Sequence, residues 1–392
     1  MNRGWPILIS VLLIIGCAPT PLVTATPSPS QTSAISATTP LPSPSPTVIK
    51  PSETPTSAAA AERQRYPAPN GQWVALVDPA VGSLVLEEEG GRRLEVFGAG
   101  SGVLGVRWSV DSSHLAIVRR DPAASPTVAV AEIWRVTFVA GEPQSPTVLL
   151  KPAPDAPFAG AQYLLGQWSP NHTHLLFWSG PLSASIAADG LPLWCLDVQS
   201  GKVAALSDAA LVNLTYQSWS PQGQAVVFTD GGYRSVLVGK RLARYDVQSD
   251  QVSTLVPAEA VVPGQVAWSP TGAWIAFAGV PADQTGEMYA DYMGWDNPAI
   301  QARRLYLLDV GSGTYRRLNG EEAFQDAPRW SPDGHFLYYI QMEGEQVQVM
   351  QAALSRGEAR PVADCRAPRP PSAGYYGQID WDAVFEACAV LR

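Results

Sequence analysis

The chain has 392 residues, with 36 Pro, 33 Gly, 13 Trp and 13 Tyr, only 16% charged residues and a net charge of −9. An acidic balance with no basic cluster excludes a nucleic-acid partner recognised through its phosphates. Beyond residue 61 about 330 residues remain, enough for two ordinary domains or one large all-β domain, and the aromatic, Gly- and Pro-rich composition favours the second.

In chain order, residues 1–16 read as a signal peptide: a single basic residue, Arg3, precedes an apolar run from Ile7 to Ile15. That run is about half of the roughly 20 residues that a membrane-spanning helix needs. It ends in Ile14-Ile15-Gly16-Cys17, which resembles the bacterial lipobox. The resemblance implies cleavage before Cys17 by signal peptidase II and diacylglycerol on the Cys17 thiol. An ordinary signal peptide or an uncleaved anchor is the alternative. Residues 17–61 follow as a Pro-, Ser- and Thr-rich stretch, for example Pro42-Ser43-Pro44-Ser45-Pro46. With almost no large apolar residues to offset the entropy of ordering, it is expected to be a disordered tether. At about 3.1 Å per residue in polyproline II it would reach on the order of 100 Å.

Residues 62–392 carry a repeat. Trp108-Ser109-Val110-Asp111-Ser112 precedes Leu115-Ala116-Ile117, and Trp168-Ser169-Pro170-Asn171-His172 precedes Leu175-Leu176-Phe177. Trp219-Ser220-Pro221-Gln222-Gly223, Trp268-Ser269-Pro270-Thr271-Gly272 and Trp330-Ser331-Pro332-Asp333-Gly334 precede similar apolar triplets. A worn copy runs from Pro67 to Leu76. The copies lie roughly 40 to 60 residues apart, a period that points to a propeller. Proline fixes φ and glycine allows positive φ, so each copy reads as strand, tight turn and returning strand. A second element, in Leu196-Asp197-Val198, Tyr245-Asp246-Val247 and Leu308-Asp309-Val310, adds a third strand, a turn and a fourth strand.

These residues resemble the TolB-like family of WD-type propeller repeats, whose hallmark is W-S-P-D-G followed by I-A-F. The resemblance covers roughly residues 66 to 363 and implies the fold and a habit of binding proteins, but no particular partner. The expected fold class is therefore all-β: a propeller of four-stranded antiparallel blades, six in number. The first blade lacks an evident inner strand, and Tyr375 to Trp381 is expected to supply it, which would pair the chain ends and remove a sheet edge. A trailing strand from Val384 to Leu391 keeps seven blades open.

A search for chemistry finds little. The four histidines, His114, His172, His174 and His335, lie in or just after the repeated turns. His172-x-His174 would place two imidazoles on one strand face, but no acidic or cysteine partner is near in sequence, so no metal is expected. The turn aspartates Asp111 and Asp333 read as turn caps. A G-x-S-x-G elbow, a phosphate loop and a dinucleotide fingerprint are missing. Asp291 and Asp296 as a catalytic pair is a weak reading. No cofactor is expected. Of Cys195, Cys365 and Cys388, the last two bracket the C-terminal segment and are the candidate disulfide, which leaves Cys195 as a buried thiol.

Loop lengths are more informative. The short turns share one face, while the long connections, residues 121–128, 151–163, 180–191 and 280–304, fall on the other. The last gathers Tyr289, Tyr292, Met293 and Trp295, aromatic anchors among polar residues that make it the candidate binding loop. The alternative is that it folds back with Trp295 as a local plug. The expected function is a lipid-anchored, extracytoplasmic, monomeric protein-binding or scaffold module, periplasmic or at the cell surface, and not an enzyme. The rival is a propeller-type hydrolase or glycan-active enzyme with its site at the central channel mouth.

Overall fold

The computed structural model describes residues 63–120, 131–181, 186–232, 234–285, 294–354, 358–373 and 377–388. They build successive four-stranded antiparallel units. The first is Gln64–Pro67, Trp73–Asp78, Ser83–Glu88 and Arg93–Phe97; the second is Val103–Trp108, His114–Arg120, Ala131–Val139 and Thr147–Leu150, with a short extra strand at Glu142–Pro143. The third (Gln162–Trp168, His174–Gly180, Leu191–Asp197, Val203–Ala210) and the fourth (Gln217–Trp219, Ala225–Asp230, Arg241–Asp246, Gln251–Val256) are joined through one bridge, Ala210 to Asp230. The fifth is Val261–Trp268, Trp274–Pro281, Arg304–Asp309 and Tyr315–Arg317. The last is Gln325–Trp330, Phe336–Glu343, Gln346–Ala353 and Glu358–Pro368.

Each repeated residue has a physical job. The Ser after Trp is buried and accepts from the backbone N–H five residues on: His114 and His174 at 2.9 Å, Ala225, Trp274 and Phe336 at 3.0 Å. It thereby pins the turn to the returning strand. In three of the five copies that keep the Trp, its indole reaches back to the preceding unit, whereas Trp268 donates to Gly272 of its own turn and the Trp219 indole N–H has no hydrogen-bond partner. Trp108 donates to the Tyr66 carbonyl, Trp168 to that of Arg107 and Trp330 to that of Ala267, in each case the residue just before the preceding copy's first position. One side chain thus combines a large buried apolar area with an inter-unit hydrogen bond. The aspartate of the second element caps its own turn: Asp197, Asp246 and Asp309 each accept from the N–H three residues on.

The turns also touch one another in a fixed register. The fourth residue of each turn lies against the fifth of the next. A Cβ on Gly223 would meet Asn171 Oδ1 at 2.5 Å, and one on Gly334 would meet Thr271 Cγ2 at 2.8 Å. Where the fifth residue is not Gly it keeps the left-handed backbone, φ 63° at Ser112 and 58° at His172. Its side chain then reaches back: Ser112 Oγ accepts from Asn70 N at 3.0 Å, and His172 Nε2 lies 3.1 Å from Asp111 Oδ2.

Apolar cores fill the spaces between successive units. Ala75, Leu86 and Leu115 belong to the core of the first and second, Ile133 and Phe177 to that of the second and third. The pattern continues through Leu193 and Phe228, Val227 and Phe277, then Leu307 and Tyr339. A further core is different in kind: it gathers Tyr216, Val236, Trp295, Phe324, Ile340 and Val349 around Ile379, Trp381 and Phe385 of the C-terminal segment.

Two expectations at the chain ends are corrected. The first unit has its own inner strand, Gln64–Pro67, paired with Trp73–Asp78 from Gln64 opposite Val77 to Pro67 opposite Val74. The described part of the segment expected to supply it, residues 377–381, forms no strand, and the expected strand from Val384 is the helix Asp382–Cys388. The spacing of Val384, Phe385 and Cys388, the residues that pack inward, is helical rather than alternating. Among the described residues no helix is long and apolar enough to cross a membrane.

Candidate binding site

The inner strands of the first three units and the connection into the fourth enclose a cavity of about 430 Å³, within the usual range for ligand pockets. Its wall is mostly apolar, with Leu104, Val106, Leu164, Leu165, Val212 and Leu214, and carries Tyr66, Arg107 and Trp178 as polar points. Trp178 is 3% exposed and its indole N–H has no hydrogen-bond partner. Arg107 Nε is likewise buried without a partner, and burial lowers the guanidinium pKa. The group nevertheless stays a cation at any physiological pH. No ion pair joins Arg107 to an acid among the described residues.

Arg329 stands at the equivalent position of the last unit, immediately before Trp330, and is satisfied. It pairs with Asp382 and lies 3.9 Å from the ring centre of Phe385, both on the C-terminal helix. The segment leading to that helix is anchored by buried polar groups. Arg303, 2% exposed, donates to Asp326 at 2.5 Å and to the Gly377 carbonyl at 2.9 Å, and Trp381 donates to Asp326 at 3.0 Å. Gln265 donates to the Ile379 carbonyl at 3.1 Å. A cavity of about 190 Å³ remains between Asn213, Thr215, Gln265 and residues 378–382. In a wider groove of about 800 Å³ along the outer strands of the third and fourth units, Asp230 is paired with Arg241 at 2.6 Å and with Ser207.

The residues singled out in the sequence are distributed differently. Trp295 is 5% exposed, donates to the Pro370 carbonyl at 2.8 Å and packs on Phe324 and Trp381. It plugs the last core, as the alternative reading had it, rather than offering an anchor. Tyr289, Tyr292 and Met293 lie outside the described residues, as do Cys17 and Asp291. Cys365 Sγ lies 3.9 Å from the Cys388 carbonyl oxygen, both as thiols, and burial together with the neighbouring Cys365 thiol raises the Cys388 pKa. Cys195 is buried in the third strand of its unit, with its thiol pKa raised by burial. Asp111 and Asp333 cap their turns, accepting from Ser109 and Ser331.

Sequence reading did not single out Arg107 or Trp178. The signal available was the position before each repeated Trp, occupied by Arg107, Gln167, Ser218, Ala267 and Arg329. Two arginines at one repeated position were visible there; which of them finds an acid depends on a contact across 53 residues.

No known protein family and no curated protein matches the sequence. Among solved structures the chain is similar to dipeptidyl peptidase 4 from Porphyromonas gingivalis, at 12% identity over 84% of this chain and 47% of that one, with a TM-score of 0.50. It is also similar to TolB from Acinetobacter baumannii, at 17% identity over 74% and 63% with a TM-score of 0.37. An oligogalacturonate lyase in complex with manganese follows at 14% identity over 74% and 76%, with a TM-score of 0.44. The chain thus spans about half of the peptidase and less than two thirds of that TolB. At these identities the likeness is one of fold alone.

Proposed function

We propose that the chain is a six-bladed, TolB-like propeller of the bacterial cell envelope that binds a protein partner through the cavity at Arg107 and Trp178. Lipid on Cys17 would hold it to the membrane on the extracytoplasmic side, with residues 17–61 as the tether. The observation that carries the reading is the contrast between two equivalent arginines. Arg329 has a carboxylate and an aromatic ring from the chain's own tail, while Arg107 lines a mostly apolar cavity and pairs with no acid among the described residues. A buried guanidinium Nε and an indole N–H without partners are costly to leave so. A partner segment carrying an acidic and an aromatic side chain would satisfy both, as Asp382 and Phe385 do for Arg329. Binding rather than turnover is the proposed role, since the cavity wall offers no nucleophile beside a base.

A synthetic peptide with the sequence of residues 380–388, fluorescently labelled, is a direct probe. Saturable binding to the full chain, lost in Arg107→Glu and kept in Arg329→Lys, supports the reading. Equal binding to the Arg107→Glu variant would remove it. Anchoring is tested separately: Cys17→Ala should abolish lipid labelling and leave unprocessed precursor, and normal membrane retention of that variant would sink the lipoprotein reading.

A further inference from the structure

The turn register described above brings together a group of side chains that serves neither the tail nor the cavity. Asp111 and His114 come from the turn of the second unit and its returning strand, and His172 from the turn of the third. One donor atom from each lies within 4.8 Å of the others. His172 Nε2 and Asp111 Oδ2 are 3.1 Å apart, and the rings of His114 and His172 stack at 5.0 Å with 21° between planes. We propose that Asp111, His114 and His172 hold a zinc ion between the second and third units, with a fourth coordination position open to solvent.

Three features support the site. First, the spacing fits: two ligand atoms at about 2.0–2.1 Å from a tetrahedral zinc stand roughly 3.3 Å from each other, close to the His172–Asp111 separation. The His114 donor atom lies within 4.8 Å of both. Second, the ligand atoms are already selected by their neighbours. Asp111 Oδ1 accepts from Ser109 Oγ at 2.7 Å, Ser113 Oγ at 2.8 Å and Ser113 N at 3.0 Å, which leaves Oδ2 for the ion. Ser113 Oγ, its proton given to Asp111, accepts from His114 Nδ1–H at 2.6 Å, which fixes the tautomer with the Nε2 lone pair free. An outer hydrogen bond of this kind is what orients metal-binding imidazoles.

Third, His172 sits at a turn position with φ 58°, where Gly223, Gly272 and Gly334 stand in other copies. A non-glycine residue in that region carries strain of order 1 kcal/mol and persists where something compensates it. Its Nδ1 has no hydrogen-bond partner, so only Asp111 and the His114 stack hold the ring. Two imidazoles and one carboxylate select zinc over calcium or magnesium, which prefer all-oxygen shells. The sequence reading looked along the strand from His172 to His174 for this chemistry. The acid it lacked is one unit away.

The test is titration of the chelator-stripped full chain with zinc chloride by calorimetry, with cobalt(II) as a spectroscopic probe. We expect one saturable zinc site and, with cobalt, the intense visible absorption of a tetrahedral centre. His172→Gly restores the residue that other copies carry and so preserves the turn; it and Asp111→Asn should each weaken zinc at least about tenfold. His174→Ala should leave zinc affinity unchanged. Absence of saturable zinc binding to the wild-type chain, or a site that survives His172→Gly with undiminished affinity, would overturn the proposal. So would displacement of zinc by an equal concentration of magnesium.

Discussion

The cores between successive units and the core around the C-terminal segment are held by different means. Between units the same devices recur: a serine pinning the turn, apolar strands face to face and, for Trp108, Trp168 and Trp330, an indole N–H on the preceding unit's carbonyl. Around the tail nothing recurs. A buried ion pair, Arg303 with Asp326, receives Trp381 and the Gly377 carbonyl as further partners, and Trp295, Phe324 and Trp381 fill the space by shape. A repeated interface can lose one device and keep its neighbours, whereas one assembled once concentrates its stability in a few groups.

That difference predicts where the protein breaks. The largest effect is expected for Asp326→Ala. It leaves Arg303 charged, 2% exposed and without its acid, and breaking a buried pair in this way costs about 3–5 kcal/mol. Urea unfolding of the variant should show a correspondingly lowered midpoint. Replacing both Arg303 and Asp326 by apolar residues should recover part of the loss. A loss under 1 kcal/mol for Asp326→Ala would mean that the tail core is dispensable.

Next in size is the staple proposed at the end of the tail. If Cys365 and Cys388 are bridged in the exported protein, thiol counting on denatured, unreduced, lipidated chain gives one free thiol, Cys195. Three would refute the bridge. Closing the loop between positions 23 apart limits the unfolded chain by about 3 kcal/mol in the entropic account, so Cys365→Ser should lower stability by that order, and reductant should do the same to the wild type.

A device between units should matter less. Ser169 is buried, donates to Asn171 at 2.7 Å and accepts from His174 N at 2.9 Å. Ser169→Ala leaves the His174 N–H without that partner, while Asn171 Oδ1 keeps Thr173, at about 1–3 kcal/mol. Ser220 accepts from Ala225 N at 3.0 Å and from Gln224 N at 3.1 Å, so the same substitution there should cost a similar amount. Unequal losses would show that the copies are not equivalent energetically.

The same contrast explains what the sequence could tell. Trp108, Ser109 and their counterparts are visible because each appears several times, and the strands, turns and order of units follow from them. The inner strand Gln64–Pro67 was missed because its copy is worn: Pro67 stands where the Trp belongs, and only pairing with Val74 to Val77 identifies it. The tail was misread as strand because Val384 and Phe385 are adjacent apolar residues that period alone does not assign over so short a run. Arg107 and the meeting of Asp111 with His172 depend on contacts between units, which no single copy displays. A hint was present in the departures themselves, Ser112 and His172, two residues where the turn calls for Gly.

The smallest effect separates two glycines with the same φ. Gly313 and Gly334 both have φ 71°. A Cβ on Gly313 would meet nothing within 4 Å, whereas one on Gly334 would press on Thr271 Cγ2 at 2.8 Å. Alanine at Gly313 therefore bears only the left-handed backbone, about 1 kcal/mol. At Gly334 it bears that and a displaced Thr271, so its loss should exceed that of Gly313→Ala by a further fraction of a kcal/mol, since the methyl of Thr271 can yield by rotation. Pairing Gly334→Ala with Thr271→Ser removes the obstructing methyl and should return the variant to the level of Gly313→Ala in thermal melts. If the double variant stays as unstable as Gly334→Ala, the close approach of successive turns is not what makes glycine the common residue there. The backbone alone would then account for it, and the side chains of Ser112 and His172 would be additions to an otherwise indifferent position.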